Sequence, residues 1–87
     1  MKKLLNEAIQ IGKKYELGLD GYGAAMFGMT SSEFRQFKKY EGNPCVAIKL
    51  VEAAGQNAFY DIKFADGKVF EGISDWHLKP IGWSAGK

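Results

Sequence analysis

Apolar residues recur along this chain with two different periods. Val46, Ile48 and Leu50 alternate with polar or small neighbours, and so do Tyr60, Ile62 and Phe64, which is the spacing of half-buried strands. Phe34, Phe37 and Tyr40 recur every third position instead. At about 100° per residue they share one side of a helix, and Arg35, Lys38 and Lys39 fill the opposite side. Thr30-Ser31-Ser32-Glu33 starts that helix: the Thr30 hydroxyl accepts from the Glu33 N–H while the Glu33 carboxylate reaches back to the Thr30 N–H. The helix is predicted from Ser31 to about Tyr40, closed by Gly42 and Pro44.

The first nineteen residues carry both periods. Leu4, Ala8, Ile11 and Tyr15 have helical spacing, whereas Ile9, Ile11, Tyr15, Leu17 and Leu19 fall on alternate positions. Gly12 would cost about 1 kcal/mol inside a helix, so a short helix is expected over Lys2 to about Ile9, and a strand over Lys13 to Leu19. Gly18 to Gly28, GLDGYGAAMFG, reads as an irregular loop with Tyr22, Met26 and Phe27 set among glycines. Its glycines match neither the dinucleotide spacing nor a Walker loop, so phosphate cradling is not expected.

Glu52 to Asn57 supplies a turn between strands, and Asp66-Gly67 is the dipeptide that suits a two-residue type I′ hairpin. With those two residues as the loop, Phe64 faces Val69, Lys63 faces Phe70, Ile62 faces Glu71 and Tyr60 faces Ile73. Tyr60, Ile62, Phe64, Val69 and Ile73 then form a core face, with Glu71 an odd carboxylate among them near the barrel mouth. Phe59, Asp61, Lys63, Lys68 and Phe70 occupy the other face. Gly72 to Ile81 reads as a strand end, a 3₁₀ turn capped by Ser74 or Asp75, and a short last strand with Pro80 near an edge. Gly82 to Lys87 reads as a loose tail apart from Trp83.

The run YDIKFADGKVFEGISDWHLKPI, positions 60 to 81, resembles the distal hairpin, 3₁₀ turn and last strand of the Src-homology-3-like small barrels, among them Tudor domains. The resemblance is one of pattern and covers about a quarter of the chain. It implies a mainly β fold with helical insertions (α+β): a small five-stranded Src-homology-3-like barrel, with a short N-terminal helix and an inserted helix at about 31–40. The loop after the first strand is longer than usual for such barrels. It holds only Tyr15, Glu16, Asp20 and Tyr22 of the residue types that line proline-peptide grooves, so that recognition mode is not expected. An aromatic cage for a methylated cation would require Phe59, Phe70, Trp76 and Tyr22 to converge.

Length bounds the rest. Eighty-seven residues make one domain, read as 1–83 followed by a tail at 84–87. The composition, 46% hydrophobic and 25% charged, is that of a folded chain. Cys45 is the only cysteine, which excludes an internal disulfide and a multi-thiolate zinc site. The opening Met1-Lys2-Lys3-Leu4-Leu5 is interrupted by Asn6, Glu7 and Gln10 before a signal-peptide core forms, and no stretch approaches the roughly 20 apolar residues of a membrane span. A cytoplasmic location with no membrane partner is expected.

Catalysis finds little support in these residues. His77 and Cys45 are each unique, and no third group is evident to orient a base. Cys45 reads as a small buried residue and His77 as an exposed or capping one. Scattered carboxylates match no acid pair and no metal site, so neither an enzyme nor a cofactor or metal is expected. The net charge of +2 conceals an asymmetry: residues 1–40 hold seven basic and four acidic side chains, the remainder five and six. Lys13, Lys14, Arg35, Lys38 and Lys39 are therefore the candidate contacts for nucleic-acid phosphates.

Two Trp, four Tyr and six Phe are more aromatic surface than a core this small must enclose, and Trp and Tyr are favoured interface anchors. Trp76, Trp83, Tyr22, Phe27 and Phe59 are the candidates for exposure. The leading expectation is a non-enzymatic module that binds a protein partner through the glycine-rich loop, the 53–57 turn and the 3₁₀ turn, with Tyr22, Phe27, Phe59, Trp76 and His77 as contacts, in the manner of a phage or mobile-element accessory that blocks or recruits a host factor. The alternatives are a nucleic-acid-binding module using the basic residues above, and a protein holding a small nucleotide-like ligand.

Overall fold

The computed structural model describes residues 9–55 and 57–84. Five strands, β1 (Lys14–Leu17), β2 (Pro44–Ala54), β3 (Asn57–Phe64), β4 (Val69–Ser74) and β5 (Leu78–Lys79), form one antiparallel sheet in the order β4-β3-β2-β1-β5. The sheet curls into a half-barrel. Between β1 and β2 lie a 3₁₀ turn, Ala24–Phe27, and one helix, α1 (Ser31–Lys38); a second 3₁₀ turn, Asp75–His77, precedes β5. The helix expected over Lys2 to about Ile9 lies outside the described residues except for Ile9, which packs half-buried against the core.

Helix α1 begins as its sequence dictates. Glu33 N–H donates to Thr30 Oγ1 at 3.1 Å and Thr30 N–H to Glu33 Oε1 at 2.9 Å, so two otherwise orphaned donors are satisfied. After Lys38 the chain tightens: Tyr40 N–H reaches back to Phe37 O at 3.0 Å. Gly42, at φ +85°, then donates to Leu17 O at 2.7 Å and returns the chain to β1. The aromatic seam faces the sheet. Phe37 is buried with its ring 4.7 Å from that of Phe70, and Tyr40 lies 4.3 Å from Phe64.

The β3–β4 hairpin departs from the predicted register. Phe64 N–H donates to Lys68 O and Gly67 N–H to Phe64 O, both at 2.9 Å, so Ala65, Asp66 and Gly67 form a three-residue loop. Only Gly67 takes a positive φ, +92°, as the bulge position of such loops requires. One extra loop residue slides β4 by one position: Lys63 pairs with Val69 and Ile62 with Phe70. Phe70 therefore enters the core at 8% exposure, while Val69 is 38% exposed. A bulge at Glu71-Gly72 then restores the offset, so Tyr60 faces Ile73 as predicted. Gly72, at φ +67°, donates to Asp61 Oδ1 at 3.1 Å, and Glu71 stands in solvent rather than on the core face.

β2 also corrects the simple alternation. Register shifts insert an extra residue at Ile48 and another at Val51. The core receives the small residues Cys45 and Ala47, whereas Ile48, Leu50 and Val51 are exposed. β1 pairs with β2 only from Pro44 to Val46. Beyond that point the β2–β3 arm extends past β1, and Ile48 to Ala53 are exposed in succession.

The predicted tail is tied down through Ser84. Glu16 accepts the Gly82 N–H on one carboxylate oxygen and the Ser84 N–H on the other, each at 2.8 Å. Among the described residues, no helix is long and apolar enough to cross a membrane.

Candidate functional site: an aromatic cleft between two 3₁₀ turns

The cleft begins with a turn. Asp20 and Gly21 both take positive φ, +57° and +80°, and Tyr22 N–H donates to Leu19 O at 3.0 Å, the pattern of a type I′ turn. Aspartate tolerates this left-handed conformation better than most residues. The turn feeds the 3₁₀ segment Ala24–Phe27, which closes at Gly28 with φ +66°. On the opposite side, Ser74 Oγ accepts the Trp76 N–H at 3.2 Å and caps the second 3₁₀ turn.

These two turns and the β3–β4 pair border a cleft of about 630 Å³. Tyr22, Met26 and Phe27 line it from the first loop, Asn57 and Phe59 from β3, Gly72 and Ser74 from β4, and Trp76 and His77 from the second turn. All five residues expected to contact a protein partner, Tyr22, Phe27, Phe59, Trp76 and His77, therefore border one space. Trp76 and Met26 are the most open large apolar side chains of the cleft, at 59% and 62% exposure, and Phe27 and Phe59 are half-buried. The Glu71-Gly72 bulge helps form the wall, since Gly72 presents backbone alone.

His77 differs from its expected place: it is buried, with 5% exposure. Its ring lies 4.7 Å from Phe27 and 5.8 Å edge-on from Tyr22. Nδ1 is 3.0 Å from Gly18 O and 3.4 Å from Asp20 Oδ2. Both oxygens only accept, so Nδ1 carries a proton, and in the neutral form of the ring the lone pair lies on Nε2. Asp20 also meets Lys79 Nζ at 3.1 Å, and that ammonium lies over the rings of Trp76 and Trp83 at 5.8 and 5.5 Å. The approach at Gly18 is close: a Cβ there would come within 2.8 Å of Trp83 and 2.9 Å of Lys79, so those side chains would have to shift to admit one. Trp83 is half-buried rather than open.

The other candidates lie elsewhere. Lys13, Lys14, Arg35, Lys38 and Lys39 are all exposed. Lys14 lines a separate groove with Val46, Ile48 and Lys63, to which no basic residue of α1 contributes. Cys45 is buried, and burial raises its thiol pKa to about 11, which leaves it protonated and unreactive at neutral pH. Among the described residues, no three His, Cys, Asp or Glu side chains cluster as metal ligands.

Sequence reasoning placed the glycine-rich loop, with Met26, and the 53–57 turn, with Asn57, at the recognition surface without singling out either residue, and it did not assign Gly72, Ser74 or the Asp20–His77–Lys79 contacts to this site. Met26 carried a signal, standing between Tyr22 and Phe27 in the glycine-rich run. The others depend on the bulge and on contacts across 59 positions, as between Gly18 and His77, which local pattern does not encode. No protein-family model, curated protein or solved structure matches this chain.

Proposed function

We propose that this protein is a non-enzymatic binding module that engages a protein partner through the aromatic cleft. The convergence of Tyr22, Phe27, Phe59, Trp76 and His77 on one space carries this reading. An exposed tryptophan and methionine over half-buried rings supply the apolar anchors on which protein recognition concentrates. Among the described residues, the cleft lining holds no lysine, arginine or carboxylate, so apolar contact rather than charge is the driving force of this reading. We further assign the curled sheet to the Src-homology-3-like small barrels. The strand order and the 3₁₀ turn before β5 support that assignment.

The test is affinity capture from a bacterial lysate with wild type and Trp76→Ala, followed by titration of the purified partner. Loss of a buried anchor costs about 2 kcal/mol or more, so Trp76→Ala is expected to weaken binding by about thirtyfold, with little dependence on salt. Equal affinity of wild type and Trp76→Ala overturns the reading. Nucleic-acid binding that falls steeply with salt and is lost in Lys38→Glu/Lys39→Glu would favour the basic surface instead.

A further inference from the structure

We propose that the cleft selects a flat apolar side chain carrying a hydrogen-bond donor, with His77 Nε2 as the acceptor, and that the indole of a partner tryptophan is the group it fits. The inference rests on the cleft being the binding site. Four observations carry it. Gly18 O and Asp20 Oδ2 both face Nδ1, which holds the neutral imidazole in the tautomer that leaves Nε2 an acceptor. Phe27 and Tyr22 flank the ring, so its position is held from more than one side. Every buried polar side-chain atom among the described residues has a partner, whereas Nε2 has none; it therefore reaches accessible space, and the cleft is the space His77 lines. The Ser74 hydroxyl, the nearest competitor in sequence, already accepts from Trp76 N–H and faces Asp75 Oδ1 at 3.4 Å.

The chemistry of the surroundings narrows the ligand. A carboxylate or other pure acceptor would meet the Nε2 lone pair with its own. An aliphatic side chain would remove water from Nε2 and leave it unpaired. An indole offers one N–H donor, no competing acceptor, and a broad ring to set against Tyr22, Phe59 and Trp76. His77 thus acts as a specificity-determining residue in a cleft that is otherwise mostly apolar.

The test is a ¹⁵N–¹H NMR titration of the full chain at about pH 8, where imidazole is ordinarily neutral. Two isomeric probes are compared: 3-methylindole, which keeps the N–H, and 1-methylindole, which lacks it. Both are expected to shift the amides of Met26, Ser74 and Trp76. 3-Methylindole is expected to bind about fivefold more tightly, the worth of one net hydrogen bond, and His77→Phe is expected to remove the difference. Long-range ¹⁵N–¹H correlations should show the proton of free His77 on Nδ1. Equal binding of the two probes to wild type, or a proton on Nε2, overturns the inference and leaves the cleft reading standing. If neither probe shifts the cleft amides, the cleft reading fails with it.

Discussion

The Glu16 carboxylate accepts the Ser84 backbone N–H at 2.8 Å across 68 positions of sequence. The Ser84 N–H, then that of Gly82, then the Ser84 hydroxyl hold the Glu16 carboxyl below its ordinary pKa. At the other end of the sheet, the Tyr40 hydroxyl and then the Lys68 N–H hold Asp66 low as well. A carboxyl depressed in the folded state contributes stability in full above its unfolded pKa, about 4, and loses it as pH falls through the folded value. The melting temperature is therefore expected to drop between about pH 5 and pH 2. Glu16→Gln, which keeps one acceptor oxygen, should melt lower at neutral pH and show a shallower acid decline. Thermal scans of both proteins across that range check it; identical acid slopes would remove Glu16 from the account.

Gly72→Ala separates backbone strain from crowding. Its chain neighbours aside, no atom of the described residues lies within 4 Å of where its Cβ would stand, yet φ is +67°. The expected cost is about 1–2 kcal/mol, read as a lower urea midpoint with unchanged slope. A change near zero would show that the bulge relaxes to another conformation.

Three substitutions rank the packing. Phe37→Ala removes a fully buried ring and should cost about 3–5 kcal/mol. Thr30→Ala removes half of the reciprocal cap on α1 and should cost about 1 kcal/mol. Leu50→Ser, on the exposed arm, should stay within about 0.5 kcal/mol. Chemical denaturation checks the order, and a large effect at Leu50 would mean that the arm is covered in solution.

Cys45 reports on opening of the sheet. Its thiol is buried and its pKa is raised to about 11 by desolvation, so a thiol reagent at about pH 8 should react far more slowly with the folded chain than with a model thiol of pKa about 8.5. The reaction should become rapid in denaturant. Fast labelling of the folded protein would contradict the burial.

How far the sequence is legible shows best in its two Asp-Gly pairs. Asp66-Gly67 lies between two strands and reads as a type I′ hairpin, yet it forms a three-residue loop with positive φ only at Gly67. Asp20-Gly21, inside the loop after β1, takes positive φ at both residues. The dipeptide permits either turn, and contacts beyond it choose: Asp20 is held by Lys79 and His77, and Asp66 by Tyr40 across the fold and by the Lys68 N–H within its own turn. Signals that close within a turn, such as the Thr30–Glu33 cap or the Phe34–Phe37–Tyr40 seam, are legible for that reason. Bulges are not, because each depends on the opposite strand. The five cleft residues could be named by type, as aromatics and a histidine near loops, but not their convergence, nor the burial of His77.

The two walls of the cleft come from distant parts of the chain, residues 22–27 and residues 57–77. During synthesis, at about 5–20 residues per second, the first 3₁₀ turn is made seconds before the second. Until Trp76 and His77 emerge, Tyr22, Met26 and Phe27 have no opposite wall. The newborn chain therefore passes through an interval in which Tyr22, Met26 and Phe27 stand without an opposite wall, and the cleft is complete only once the second turn and the last strand are made.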